Sequence, residues 1–309
     1  MKNRLPKVVV GMAVYNGGNF LEEQITSIMN QEGVDVSLYI SLDKSSDDSE
    51  SVIQRIMKQF GSIYYLSSSE RFGSAGLNFY NIVKKLNIDE FDYFAFADQD
   101  DIWKVNKLER ACSTLRTNSL DGYSSGFIAF WDNGVERRII KPTRQKEFDY
   151  FFESAGPGCT YVISNSLFKA FQEFVKGHFE QIKSVDYHDW LCYAFARSKR
   201  FSWYIDEWPS IYYRQHSSNQ LGVNHGISAV SKRFLKILNG YGIRQSLLII
   251  KCLDHHFFDY VVNSNESNSS INCLKLALMF RKCRRGSLDQ LFFVISCILM
   301  MIIRPSLKK

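Results

Sequence analysis

Residues 93–103 read YFAFADQDDIW. The apolar run from Tyr93 to Ala97 predicts a short buried strand. It stops at three carboxylates within four positions, Asp98, Asp100 and Asp101. Acids this close repel one another, and burying them unpaired costs several kcal/mol. A hard divalent cation, which takes oxygen ligands, compensates such a cluster, and Asp100 is the first candidate ligand. The plainer reading is a solvated acidic turn, with Asp101 as the N-cap of a helix that starts near Lys104. The surrounding chain decides between them, because ligands of open α/β sheets bind at the carboxyl ends of strands.

The surrounding chain alternates strands with helices. Val8–Val14 is apolar and β-branched, and Tyr15-Asn16-Gly17-Gly18 follows as a turn. A helix is expected over about 19–30, with Phe20, Leu21, Ile25, Ile28 and Met29 at helical spacing. Further strands are expected at Val36–Leu42 and Ile63–Ser67, with helices near 51–60 and after the turn of ERFGSAGLNFYNIV. Such alternation argues for βαβ units and a parallel sheet. Asp43 and Asp98 then lie at carboxyl strand ends on one edge of that sheet.

AVYNGGNFLEEQITSI (13–28), SLDKSSDD (41–48), FGSAGLNF (72–79), FADQDDIW (96–103), HDW (188–190) and YRQHSSNQLG (213–222) together resemble a family 2 glycosyltransferase. The bacterial rhamnosyltransferase-like group is the nearest in flavour, and the resemblance covers about residues 5–222. It implies an α/β fold of the GT-A (Rossmann-like) type, a mostly parallel central sheet flanked by helices, here with a C-terminal helical extension. It implies an inverting, metal-dependent glycosyltransferase of the hexosyl type. Such an enzyme moves a sugar from a nucleotide-diphosphate donor to a saccharide or lipid-linked saccharide in surface polysaccharide synthesis. One departure stands out. The family commonly has two adjacent aspartates followed by Gly-Ser where this chain has Leu42-Asp43-Lys44-Ser45, which bears on how the nucleotide base is held.

The resemblance also implies roles. Ala13, Tyr15 and Asn16 line the nucleotide pocket, Asp43 faces the base, and Asp98 reaches the donor ribose or shares the cation. The cofactor is Mn²⁺ or Mg²⁺, which stabilises the diphosphate leaving group as a Lewis acid. Asp189, in Tyr187-His188-Asp189-Trp190, corresponds to the family's catalytic base; without the resemblance it reads as a first-turn aspartate matching a helix dipole. In Tyr213-Arg214-Gln215-His216, Arg214 or His216 closes over the diphosphate, and His216 is also a candidate metal ligand. The competing readings are a catalytically degenerate GT-A-fold scaffold or sugar-nucleotide-binding protein, and a nucleotidyltransferase. The latter calls for a basic, glycine-rich phosphate loop after the first strand, where this chain has Tyr-Asn-Gly-Gly.

The rest of the chain is less informative. A helix is expected at 104–118 with Val105, Leu108, Cys112 and Leu115 inward, then a strand at Gly126–Trp131. A polar loop follows at 133–150, suited to acceptor recognition. Helices at about 164–177 and 187–198 precede two short strands near 201–205 and 210–214. A GT-A domain at 1–222 gives way to a helical region at 223–309, with helices near 227–239, 243–262 and 271–283 and a polar linker at 263–270. The net charge of +6 is uneven. From Lys275 onward eight basic residues face one acid, Asp289, whereas the body is near neutral. Basic residues beside the apolar run Leu291–Ile303 point to anionic lipid rather than nucleic acid. The expectation is peripheral contact at the inner face of the cell membrane, with a buried core helix as the alternative. Seven cysteines without framework spacing, and no secretory signal before Pro6, point to a reducing cytoplasm.

Overall fold

The computed structural model describes residues 4–66, 71–216, 241–263 and 270–303. Four parallel strands form one half of the sheet: β1 (Lys7–Val14), β2 (Asp35–Leu42), β3 (Ile63–Leu66) and β4 (Tyr93–Ala97), in the order β3-β2-β1-β4. The crossovers are helical: α1 (Gly18–Met29), α2 (Ser49–Met57) and α3 (Ala75–Lys85). β1 reads KVVVGMAV and is buried on both faces, as expected for a strand covered by helices on two sides. Gly11 is required there, since a Cβ would lie 2.7 Å from Ile82 and 2.9 Å from the Phe94 ring.

The other half is mixed. β5 (Ile102–Trp103) and α4 (Lys107–Thr117) follow the acidic turn, and then come β6 (Gly122–Trp131) and β7 (Glu136–Ile139). β8 (Val162–Ser164) joins antiparallel to β4 and β6, and β9 (Trp203–Gln215) runs parallel to β6 and antiparallel to β5. The path is β3-β2-β1-β4-β8-β6-β9-β5, with β7 on β6. The architecture is thus the expected α/β fold, a mostly parallel mixed sheet between helical layers.

Alternation along the strands sorts the core into two layers. Val8, Val10 and Met12 face Leu21 and Ile25 of α1, Ile53 of α2 and Leu108 of α4. Val9, Phe94 and Phe96 face α3, α5 (Asn165–Gly177) and α7 (His188–Ser198), through Ile82, Phe168 and Leu191 among others. After the short α6 (Phe179–Ile182), the C-terminal helices join this second layer. They are α8 (Tyr241–Leu253), α9 (His255–Val261), α10 (Cys273–Leu278), α11 (Phe280–Cys283) and α12 (Ser287–Ile303). Ile250, Phe257, Phe293 and Cys297 share the core with Phe151 and Trp190.

Several local expectations need correction. The helix after the acidic turn starts at Lys107, flanked by Asn106, so Asp101 is not its cap. Val105 is exposed because it precedes that helix. Residues 133–150 hold β7 and a turn of 3-10 helix at Asp149–Phe151. The two short strands at 201–214 are one strand, β9. Its pairing with β6 shifts register between Ser125 and Gly126, opposite Asp206 and Pro209. Proline, with no N–H to donate, is tolerated at such an irregularity. The helix expected at 227–239 lies outside the described residues.

Candidate active site

The carboxyl ends of β1, β2 and β4 open on one edge of the sheet, and backbone hydrogen bonds tie their loops together. Asn16, at φ 46°, donates its N–H to Ser45 Oγ at 3.0 Å and accepts Ser46 N–H on Oδ1 at 2.8 Å. Gly17 N–H donates to Ser49 Oγ and Gly18 N–H to Asp47, both at 2.9 Å. Tyr15 and Gln99 exchange two bonds: Tyr15 N–H to Gln99 Oε1 at 2.8 Å and Gln99 Nε2 to Tyr15 O at 3.1 Å. The loop after β1 is therefore locked to the middle of the acidic turn. The Tyr15 ring, beyond Ala13 and Val14 of β1, is half exposed.

Asp43 is buried at the end of β2. Its carboxylate accepts the N–H groups of Lys44 (2.7 Å), Phe72 (3.1 Å) and Gly73 (3.0 Å). A carboxylate has about four acceptor positions, so Asp43 chiefly holds the wall formed by 72–73. Asn78 on α3 donates to Ser41 O at 3.0 Å and to Val14 O at 3.4 Å, while its Oδ1 is buried without a partner.

The acidic turn is anchored from α1. Gln24, fully buried, donates Nε2 to Asp98 O at 2.8 Å. Asp100 and His216 meet at the far side of the turn, with Nε2 2.7 Å from Oδ2. The His216 ring stacks on Phe20, centroids 4.7 Å apart. Arg214 donates to Asp100 O at 3.1 Å, pairs with Glu23, and lies over the Phe130 ring at 4.6 Å. Burial, with Asp100 and Asp189 nearby, pushes the Asp98 carboxyl up to about 7. Asp101 is buried, both its oxygens lack hydrogen-bond partners, and burial followed by its two acidic neighbours raises it well above the usual carboxylate range.

One oxygen or sulfur each of Asp98, Asp101 and Cys159 lie within 4.8 Å of one another. Burial drives the Cys159 thiol well up, and sulfur is a soft ligand poorly matched to a hard cation such as Mn²⁺ or Mg²⁺. The buried Lys107 ammonium sits 3.1 Å from the Trp103 ring centroid, and burial lowers it to about 7. This group is better read as the floor of the turn. A hard cation is better matched by the carboxylate–imidazole pair of Asp100 and His216. The uncompensated acids around that pair are the negative potential such an ion neutralises, so these residues fit Mn²⁺ or Mg²⁺.

Asp189 is the second residue of α7 and an electrostatic neighbour of Asp98. Its Oδ1 accepts Trp190 N–H at 2.8 Å, and burial raises its carboxyl to about 6, with backbone hydrogen bonds and Lys141 opposing that rise. His188 stacks on Phe79 at 3.7 Å, its Nε2 is buried without a partner, and burial holds its pKa down near 3. It is a neutral ring packed between Phe79, Phe96 and Gly158. A Cβ on Gly158 would sit 2.8 Å from His188 Nε2 and 2.9 Å from Asp189 Cβ. The Gly-Pro-Gly turn is thus the close wall of this pocket.

The expected residues therefore gather along one edge: Asp98, Asp100, Arg214 and His216 cluster, Asp189 lies within electrostatic reach of Asp98, and Tyr15, Asn16 and Asp43 frame the other end. Gln24, Asn78 and Gln99 were missed. Their signal is weak, a polar side chain on an otherwise apolar helix face or inside the acidic motif.

Residues 9–173 match the family described as glycosyl transferase family 2. The chain is 38% identical over 289 residues to a dTDP-rhamnosyl transferase, RfbG, of Shigella flexneri, covering 93% of this chain and 99% of that protein. It is 25% identical over 185 residues to the UDP-Glc:alpha-D-GlcNAc-diphosphoundecaprenol beta-1,3-glucosyltransferase WfgD of Escherichia coli, covering 60% and 68%. Among solved structures, the Pyrobaculum calidifontis mannosyltransferase with GDP-Man and Mn²⁺ superposes with a TM-score of 0.54 at 13% identity, covering 98% of this chain and 83% of that one. Staphylococcus aureus TarS 1–349 with UDP-GlcNAc gives 0.53 at 13% identity, covering 96% and 81%. These two likenesses establish the fold.

Proposed function

The chain belongs to glycosyl transferase family 2, and on that footing we propose that it is an inverting, metal-dependent transferase of bacterial polysaccharide synthesis. It moves rhamnose from a nucleoside-diphosphate donor to a saccharide acceptor carried on a lipid. The observation that carries this reading is the convergence of Asp100 and His216 at 2.7 Å, with Asp189 within electrostatic reach of Asp98. The 38% identical rhamnosyl transferase supports the sugar, and the relative acting on a diphosphoundecaprenol saccharide supports the acceptor class. In domain terms, residues 1–222 carry the reaction, and the described helices between Tyr241 and Ile303 pack on its second core layer.

Asp100 and His216 hold the divalent ion, and Asp98 takes either the donor ribose or a share of that ion. When bound, the ion supplies Lewis-acid stabilisation of charge on the departing diphosphate. Tyr15, Asn16 and the 72–73 wall held by Asp43 enclose the nucleotide. Arg214 braces Asp100 through its backbone carbonyl and adds positive charge beside the diphosphate. Asp189 accepts the proton of the attacking acceptor hydroxyl. Its carboxyl, raised to about 6, is mostly ionised at pH 7 yet basic enough for the task. A single base opposite the leaving group gives direct displacement and inversion.

The test is turnover against a panel of nucleotide sugars, dTDP-rhamnose included, with Mn²⁺, Mg²⁺ or EDTA. Activity should need a divalent ion, and Asp100→Ala should abolish transfer and Mn²⁺-dependent binding of the nucleoside diphosphate. Full activity in EDTA, or wild-type turnover by the variant, refutes the metal assignment.

A further inference from the structure

The last helix is apolar on both sides. Its inner face, Phe293, Cys297 and Met300, is buried in the core, with Phe293 5.1 Å from the Phe152 ring. Its outer face carries Leu288 (73% exposed), Leu291 (56%), Phe292 (50%) and Ile298 (44%), and α10 beside it adds Leu278 (76%). Ser296, on the same helix, turns its hydroxyl inward to Phe292 O at 2.7 Å. A continuous apolar strip of this length marks an interaction surface.

The charges around the strip identify what covers it. Arg284 and Arg285, the centre of the basic cluster, face inward. The Arg285 side chain is fully buried, with Nε 3.4 Å from Glu153 and 3.5 Å from Asp149. Arg284 engages Asp289, the one acid of α12, at 3.4 Å. Arg281 and Lys282 remain at the surface, Lys282 paired with Glu147 at 2.8 Å, and the sequence after Ile303 adds Arg304, Lys308 and Lys309. From Lys275 onward eight basic residues meet one acid, an excess that a second copy would repeat and an anionic surface complements. The 17 described residues of α12 reach about 25 Å of helix, short of the roughly 30 Å of a bilayer core. Among the described residues no helix is long and apolar enough to cross a membrane.

We propose that the outer face of α10 and α12 lies flat in the headgroup–acyl boundary of an anionic bilayer, with the Asp189 side of the pocket fixed to it through Arg285. Arg285 donates its N–H to Glu153 at 2.6 Å and its guanidinium to Ser154 O. Chain segment 149–158, held in this way, ends at Gly158 against Asp189. The arrangement presents the acceptor end of the pocket to lipid. It deepens the lipid-linked acceptor reading, but its test needs no turnover.

The full chain is floated with vesicles of phosphatidylglycerol and phosphatidylethanolamine, and separately with phosphatidylcholine alone. Wild type should favour the anionic vesicles at least tenfold. Leu291→Glu combined with Ile298→Glu should lose at least tenfold of that binding, with melting temperature and Mn²⁺-dependent nucleoside-diphosphate affinity unchanged. The proposal is overturned if this variant floats like wild type, or if wild type is a dimer that the same substitutions dissociate. Should the variant also melt early, Arg281→Gln with Lys282→Gln decides: a several-fold loss of anionic preference supports the proposal and no loss overturns it. Vesicle binding by a protein that binds no nucleoside diphosphate would sink the transferase reading and leave this one standing.

Discussion

Replacing Asp189 with asparagine separates chemistry from folding, and the structure sets the sign of both effects. Asparagine keeps the shape and the acceptor for Trp190 N–H but cannot take a proton. If Asp189 is the base, turnover falls by about 10²–10⁴-fold, the usual worth of a positioned general base. The stability effect runs the other way. Burial raises the folded-state carboxyl from 3.8 to about 6. A group raised in this way costs nothing below pH 3.8, where it is protonated folded or unfolded, and its cost is complete above about pH 6. The shift corresponds to about 3 kcal/mol, less in practice because part of the side chain reaches solvent. Asp189→Asn should therefore melt no lower than wild type at pH 7.5 and lose the stability decline that wild type suffers from about pH 4 to pH 6. The assay is kcat, nucleoside-diphosphate affinity and melting temperature on one preparation, with the pH profile of kcat/KM. Wild type should show an acid limb near pH 6. A rate within threefold of wild type, or a parallel loss of donor affinity, refutes the assignment.

Two further outcomes are expected. Lys141 lowers the Asp189 carboxyl electrostatically, so Lys141→Gln should move the acid limb of the pH–rate profile upward; an unmoved limb refutes that coupling. Gln24→Ala leaves Asp98 O without its buried donor, which should cost about 1–3 kcal/mol in urea unfolding and weaken Mn²⁺-dependent nucleotide binding; unchanged values in both measurements refute the anchoring role.

The parallel half of the sheet was legible because its signals are local. β1 and β4 are short apolar runs closed by turns, and a buried parallel strand has no other way to be written. The acids at 98–101 and the HDW and YRQH segments likewise announced themselves by type and spacing. Asp101 was misplaced because its proximity in sequence to a helix resembled a cap, whereas Ile102–Trp103 first pairs with β9 and carries the helix start to Lys107. Gln24 and Asn78 were unreadable because a polar side chain on an apolar helix face acquires its meaning only from the carbonyl it meets. That carbonyl lies on a strand or turn distant in sequence.

What the sequence by itself determined, then, was the order of strands and helices and the chemical types brought to the strand ends. Local periodicity and the strong preferences of carboxylates, glycine and β-branched residues act over a few positions, so one chain suffices to read them. The tertiary structure alone decided that Asp100 meets His216 across 116 positions and that Asp189 is buried enough to reach about 6. It alone turned Arg284 and Arg285 inward, while leaving the far side of α12 bare. Distance, burial and desolvation are properties of neighbours, and neighbours are chosen by packing rather than by adjacency in the chain.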